Sequence, residues 1–243
     1  MKYLTLVLVA VLTACGGGGG SPSVPVVLPK TLPPTVLDIQ SAMKDLYTRG
    51  FQRTFSISGT QQSGGLQTTM LSGSITVTVG GAMNSTWNTA PAEQSQLTTT
   101  GIITTYSFQG NYSVPINGNM LMYMNTNYVP MATVSTGRYC RPAVTSGWPA
   151  PGTTTLSGTL TTYSCFTDST LKTAVGAETI TYLIKNLNGA ISVDLVDTEY
   201  DTAGNMVVME TDTYAIDPAN QATLTGIQVV GARYGMTLNI VAQ

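Results

Sequence analysis

The segments ETITYLIK (178–185), ISVDLVDTEY (191–200), MVVMETDTY (206–214) and ATLTGIQVV (222–230) decide the fold class. Each is short and rich in Thr, Val, Ile and Tyr, residues that suit a pleated, half-buried surface. Between them stand Asn188-Gly189, Ala203-Gly204-Asn205 and Asp217-Pro218, residue types that accept the tight backbone of a turn. Strands joined by such short turns pair with their sequence neighbours, so this stretch predicts an antiparallel meander.

The same texture extends outward in both directions. Phe51, Arg53, Phe55 and Ile57 alternate with polar residues, as do Ile75, Val77 and Val79. Further strands are expected at 99–109, 119–126, 153–166 and 233–241, with a turn at Asn117-Gly118. One helix is expected before them, from Thr35 to Gly50. There Val36, Ile39, Met43, Leu46 and Tyr47 recur at three- and four-residue spacing and make one apolar stripe. Thr35 is read as its cap, and Gly50 fits the left-handed position past its end. So short a helix is marginal alone in water, so its stripe must pack against the sheet. The expected fold is mainly β, an antiparallel meander sheet or half-barrel covered by one N-terminal helix. In layout this resembles the half-barrels of periplasmic lipoprotein-carrier families.

Residues 1–14 carry Lys2 and then an apolar run from Leu4 to Ala14, too short for the roughly 20 residues of a membrane-spanning helix. This is the pattern of a signal peptide. The residues Leu12-Thr13-Ala14-Cys15 resemble the lipobox of bacterial lipoproteins. That resemblance implies cleavage before Cys15 and its modification by diacylglycerol and, usually, an N-acyl chain. Two or three acyl chains anchor durably, where one holds only marginally. Gly16, rather than an aspartate, follows Cys15, which by the same resemblance favours the outer membrane, with the periplasmic face preferred. Residues 15–34 run through five glycines and five prolines and read as a flexible, then extended, stalk. A glycine run after the lipid cysteine also resembles some surface lipoproteins of Gram-negative pathogens. Residues 35–243 form one β-rich domain.

From Cys15 onward the chain has 9 basic residues (10 less Lys2) and 12 acidic ones, a net charge near −3. That balance offers no footprint for nucleic acid and no polybasic patch for anionic lipid. With 9% charged residues, the surface must be largely Ser, Thr, Asn and Gln. There is no histidine, which excludes serine–histidine and cysteine–histidine catalysis and histidine-ligated zinc. No cofactor motif is present, and the chain reads as non-enzymatic.

With Cys15 taken by lipid, Cys140 and Cys165 remain as an even pair in an oxidising compartment and are expected to form a disulfide. It would close a loop containing Gly147-Trp148-Pro149-Ala150-Pro151-Gly152. A redox-active pair is the alternative, but the pair lacks the Cys-X-X-Cys spacing that lowers a thiol pKa.

Two residue groups leave their role open. Seven of the twelve acids fall between Asp194 and Asp217. Asp197, Glu199 and Asp201 alternate and share one strand face, and Asp194 is expected opposite Asp212. The reading favoured is a solvated hairpin face; a calcium site or a glycosidase-like carboxylate pair is the sharper one. Met120, Met122 and Met124 also share a face. They read either as core, the preferred reading, or as an adaptable wall for an apolar ligand. The partners implied are the membrane, through the lipid, and a hydrophobic ligand or an envelope protein.

Overall fold

The computed structural model describes residues 36–63, 67–106, 110–152, 156–187, 189–233 and 236–243. The segments read as signal peptide and stalk, with Cys15 and Thr35, lie outside the described residues. Among the described residues one helix, α1 (Ile39–Arg49), precedes thirteen strands. They are β1 (Phe51–Ser63), β2 (Gln67–Val79), β3 (Met83–Trp87), β4 (Ala90–Tyr106), β5 (Tyr112–Met124), β6 (Pro130–Ser135) and β7 (Arg138–Thr145). The rest are β8 (Ser157–Phe166), β9 (Ala174–Leu187), β10 (Ala190–Tyr200), β11 (Met206–Ile216), β12 (Ala222–Arg233) and β13 (Met236–Ala242).

The antiparallel meander is present, but the sheet is a closed barrel rather than a half-barrel. β1 pairs with β2 on one side and with β13 on the other, Ile57 lying opposite Ala242. β2 also pairs with β4, so twelve strands make the wall and β3 lies outside that circuit, paired with the start of β4. Closure removes the two long edges that an open sheet would leave as templates for aggregation. The β2–β4 seam depends on two glycines. A Cβ on Gly73 would lie 2.0 Å from the Ile102 carbonyl oxygen, and one on Gly101 would lie 2.3 Å from that of Ser74. Only hydrogen fits at either point, which lets the two backbones approach.

Alternation divides the wall into two faces. Phe55, Ile57, Ile75, Val77, Ile103, Val229 and Ile240 are buried in the lumen. Outward positions carry hydroxyls that satisfy one another across strands, as in Thr54–Thr76 and Thr104–Ser113, each pair 2.8 Å apart. This ladder is how so weakly charged a chain makes a polar exterior.

The helix plugs one mouth of the barrel rather than covering a sheet. It begins at Ile39, not near Thr35. Asp38 caps it, its Oδ1 accepting from the Ser41 amide at 3.0 Å. The residues before it are held by loops instead. The Leu37 carbonyl accepts from Gly152 N–H at 2.9 Å, and the Val36 carbonyl accepts from Asn220 Nδ2 at 3.2 Å. Val36 is therefore outside the helix and exposed, while Ile39, Met43, Leu46 and Tyr47 are buried as expected. The far end closes as read: Gly50 N–H donates to the Leu46 carbonyl at 2.9 Å. Beyond it, the Ala82 amide donates to the Tyr47 carbonyl at 2.8 Å, and Thr48 Oγ1 meets the Tyr128 hydroxyl at 3.1 Å.

Three strands were not legible: β3, β6 and β7. β6 and β7 fall between the strands expected at 119–126 and 153–166, in a stretch to which no strand was assigned. In the structure Pro130 opens β6 and Pro142 sits at a register shift in β7, places where a missing amide is tolerated. Asn117-Gly118 is not a turn but lies inside β5, opposite Thr100 and Thr99.

Candidate functional site: the lumen

The strand register turns the acid-rich hairpin inward. Glu199 lies opposite Glu178 on one side and Val208 on the other; Asp197 lies opposite Ile180 and Glu210. Asp212 lies opposite Leu195, not Asp194. Glu178, Asp197 and Glu199 are 3%, 7% and 9% exposed, which overturns the solvated-face reading. A signal for this was present: Ile191, Val193 and Leu195 share the face that continues into Asp197 and Glu199, and an apolar face belongs inside.

The other acids separate from this group. Asp194 points outward, ion-paired to Lys185 and accepting from Thr213 Oγ1 at 2.9 Å. Asp201 lies just past the end of β10 and is partly exposed. Its carboxylate accepts from the Ala203 and Asn205 amides at 2.8 and 2.9 Å, and the Asn205 side chain leads in holding its pKa below the usual range. Asp197, Glu199 and Asp201 therefore do not converge on a calcium ion.

Arg138, at the start of β7, is a luminal cation that the sequence reading did not single out, since β7 was not among the strands expected. Its Nη2 meets Glu178 Oε2 at 2.8 Å and its Nη1 meets Glu199 Oε2 at 3.0 Å. Burial alone would lower the guanidinium pKa, but Glu199 and Glu178 more than offset it and hold Arg138 above its ordinary value. Arg138 Nε also lies 3.1 Å from Cys140 Sγ. Cys140 and Cys165 face each other directly across β7 and β8 and are bonded, both fully buried. The disulfide is thus a staple inside the wall rather than the clasp of the 147–152 loop. That loop is held separately, Trp148 Nε1 donating to the Tyr128 carbonyl at 3.2 Å. Both sulfurs lie near Glu178, but as a disulfide they offer no thiolate to a metal.

Between the plug and this ionic layer lies a cavity of about 90 Å³. Its apolar lining is Val77 from β2 and Met120 and Met122 from β5, with Leu195 and Ile227 directly beside Asp212 on the neighbouring strands; Met124 is fully buried and lies outside the lining. Its polar lining is Glu178, Asp197, Glu210 and Asp212, with Tyr47 from the helix and Tyr214. Asp197 Oδ1 and Asp212 Oδ1 have no hydrogen-bond partner among the described residues.

Burial, then repulsion within the cluster, governs the protons here. Asp197 is raised well above the carboxylate range by burial first and then by Glu178 and Glu199. Asp212 is raised likewise by burial and then by Glu210. Glu210 is pushed up to about 7 by burial, with Glu199 and Glu178 adding repulsion. Burial, then the Asp212 charge, raises the Tyr47 phenol, against the opposing effect of Tyr214. The cavity is therefore a low-dielectric space lined, among the described residues, by carboxylates and by no Lys or Arg. The chain matches no protein-family model, no curated protein and no solved structure.

Proposed function

We propose that this chain is a lipid-anchored protein of the outer membrane, facing the periplasm, whose barrel is a non-enzymatic binding module with its site in the lumen. The observation that carries the reading is the two-faced cavity. Side chains that line it leave carboxylate oxygens unpaired, although interiors ordinarily close-pack and satisfy buried polar groups. Buried carboxylate oxygens without a donor weaken a fold, so a site that keeps two, on Asp197 and Asp212, is one whose complement comes from outside. The anchor rests on the lipobox residues Leu12 to Cys15. The hydroxyl-bearing exterior agrees with attachment through lipid, because lipid-exposed barrels carry an apolar band outside and polar residues within.

A second reading is a carrier of a hydrophobic molecule, which Met120 and Met122 in the apolar wall favour. The volume argues for something smaller than an acyl chain. At about 90 Å³ the cavity is well below the roughly 300–1,000 Å³ typical of drug-sized ligands. The same limit weighs against a glycosidase-like use of the acids, since a sugar ring has no room between them.

Native mass spectrometry of the full-length protein, released from its membranes in a mild detergent, tests these readings. A small bound species or saturable uptake of small solutes supports the luminal module. A co-purifying fatty acid or phospholipid within the barrel favours the carrier, and a protein that binds nothing refutes both.

A further inference from the structure

Resting on the luminal-module reading, we propose that the cavity is a binding site for a small organic cation, a protonated amine with a short apolar body, its ammonium held by Asp197 and Asp212. Three observations lead there. First, among the described residues the cavity is lined by four carboxylates and by no Lys or Arg; of the four, Glu178 is paired with Arg138, which also holds Glu199, while Asp197, Glu210 and Asp212 have no salt bridge among the described residues. Second, Asp197, 7% exposed, and Asp212, partly buried, both line this space, and the Oδ1 of each has no hydrogen-bond partner among the described residues. Acceptors left open in a dry site call for a donor, and a charged donor makes the stronger bond.

Third, the geometry separates an amine from a metal ion. Calcium takes six to eight oxygens at about 2.3–2.6 Å, which requires carboxylates to converge on one point. Among the described residues, the sole cluster with ligand atoms that close is Cys140, Cys165 and Glu178, and its sulfurs are bonded to each other. The remaining luminal acids are spread along β10 and β11 instead. They border a space whose far wall, on β2 and β5, is Val77, Met120 and Met122. A point charge would leave that wall uncovered. An alkylammonium covers both: its nitrogen donates to the two aspartates, and its methyl groups pack on aliphatic side chains and thioethers that adapt to irregular shapes. Size restricts the body. A cavity of about 150 Å³ is known to take benzene, so about 90 Å³ suits an amine of only a few carbons.

The test uses the full-length protein in detergent and four probes: isobutylammonium chloride, isobutanol as its neutral near-isostere, palmitate and calcium chloride. Binding is read by titration calorimetry and by the shift of the thermal midpoint at about pH 8, above the value of about 7 to which Glu210 is raised. The expected result is saturable isobutylammonium binding that raises the midpoint, with no saturable response to the other three. Asp212→Asn and Asp197→Asn each keep the shape while deleting a charge. Each should weaken amine binding by roughly tenfold to a hundredfold. Each should also raise the midpoint of the unliganded protein, a gain that a misfolded variant would not produce. Isobutanol binding as well as the amine overturns the cation assignment and leaves the luminal module standing, and so does preferential binding of palmitate. Calcium binding in place of the amine overturns it as well. Undiminished amine binding by both variants overturns the placement at Asp197 and Asp212, and no response to any probe overturns the module itself.

Discussion

Stability should fall as the pH rises from about 5 to about 8, and Glu210 provides the means of measuring it. Burial, reinforced by Glu199 and Glu178, lifts its carboxyl from the ordinary 4.5 to about 7. The folded state therefore holds a proton that the unfolded state releases, so the contribution is complete below about 4.5 and lost as the pH passes about 7. A shift of that size corresponds to about 3 kcal/mol at 1.36 kcal/mol per unit, or roughly 6–12 °C in the thermal midpoint of a chain this long. Asp197 and Asp212, raised by burial, act in the same direction. Arg138 stays charged throughout the window. The exposed Asp168 and the partly exposed Asp201 are shifted downward, so their opposite effect is confined to pH below about 3.8. The chain has no histidine, so the slope between pH 5 and 8 reports the luminal acids. Denaturant unfolding followed by Trp87 and Trp148 fluorescence measures it. Glu210→Gln should be more stable than the wild type at about pH 8 and show a shallower slope. A wild-type stability that is flat or rises with pH, or a slope unchanged by Glu210→Gln, would refute the account of the lumen.

Other consequences are as direct. Arg138→Met strands Glu178 and Glu199 in the interior and should cost about 3–5 kcal/mol, much of it regained when both are also changed to Gln; a mild effect of the single change would show the ion pairs to be solvated. Gly101→Ala places a methyl group against the Ser74 carbonyl in the β2–β4 seam and should cost at least about 1–3 kcal/mol in denaturant unfolding, with wild-type stability counting against that close approach. Alkylation of the envelope protein, denatured without reductant, should label neither Cys140 nor Cys165, and reduction should lower stability by about 2–5 kcal/mol. Cys15→Ser should accumulate as an unprocessed precursor carrying no radiolabelled palmitate; a processed and labelled variant removes the case for the anchor.

Local pattern was enough for the antiparallel class, the helix stripe, the cysteine pair and the buried methionine face. Period-two alternation, three- and four-residue spacing and turn chemistry are short-range properties that a sequence displays directly. It was not enough for the stretch between the strands expected at 119–126 and 153–166, to which no strand was assigned, and so Arg138 and the whole β6–β7 hairpin went unread. Nor did it assign an inside and an outside to the acidic hairpin. Asp197 and Glu199 alternate whichever way the hairpin faces, and their charge argued for water. What turns them inward is pairing between the two ends of the chain, Ile57 with Ala242, together with the glycine-dependent seam of β2 and β4. Those contacts span most of the sequence. Only once they closed the wall did one face of every strand become a lumen, and only then did charges far apart in sequence, from Arg138 to Asp212, meet in one low-dielectric space.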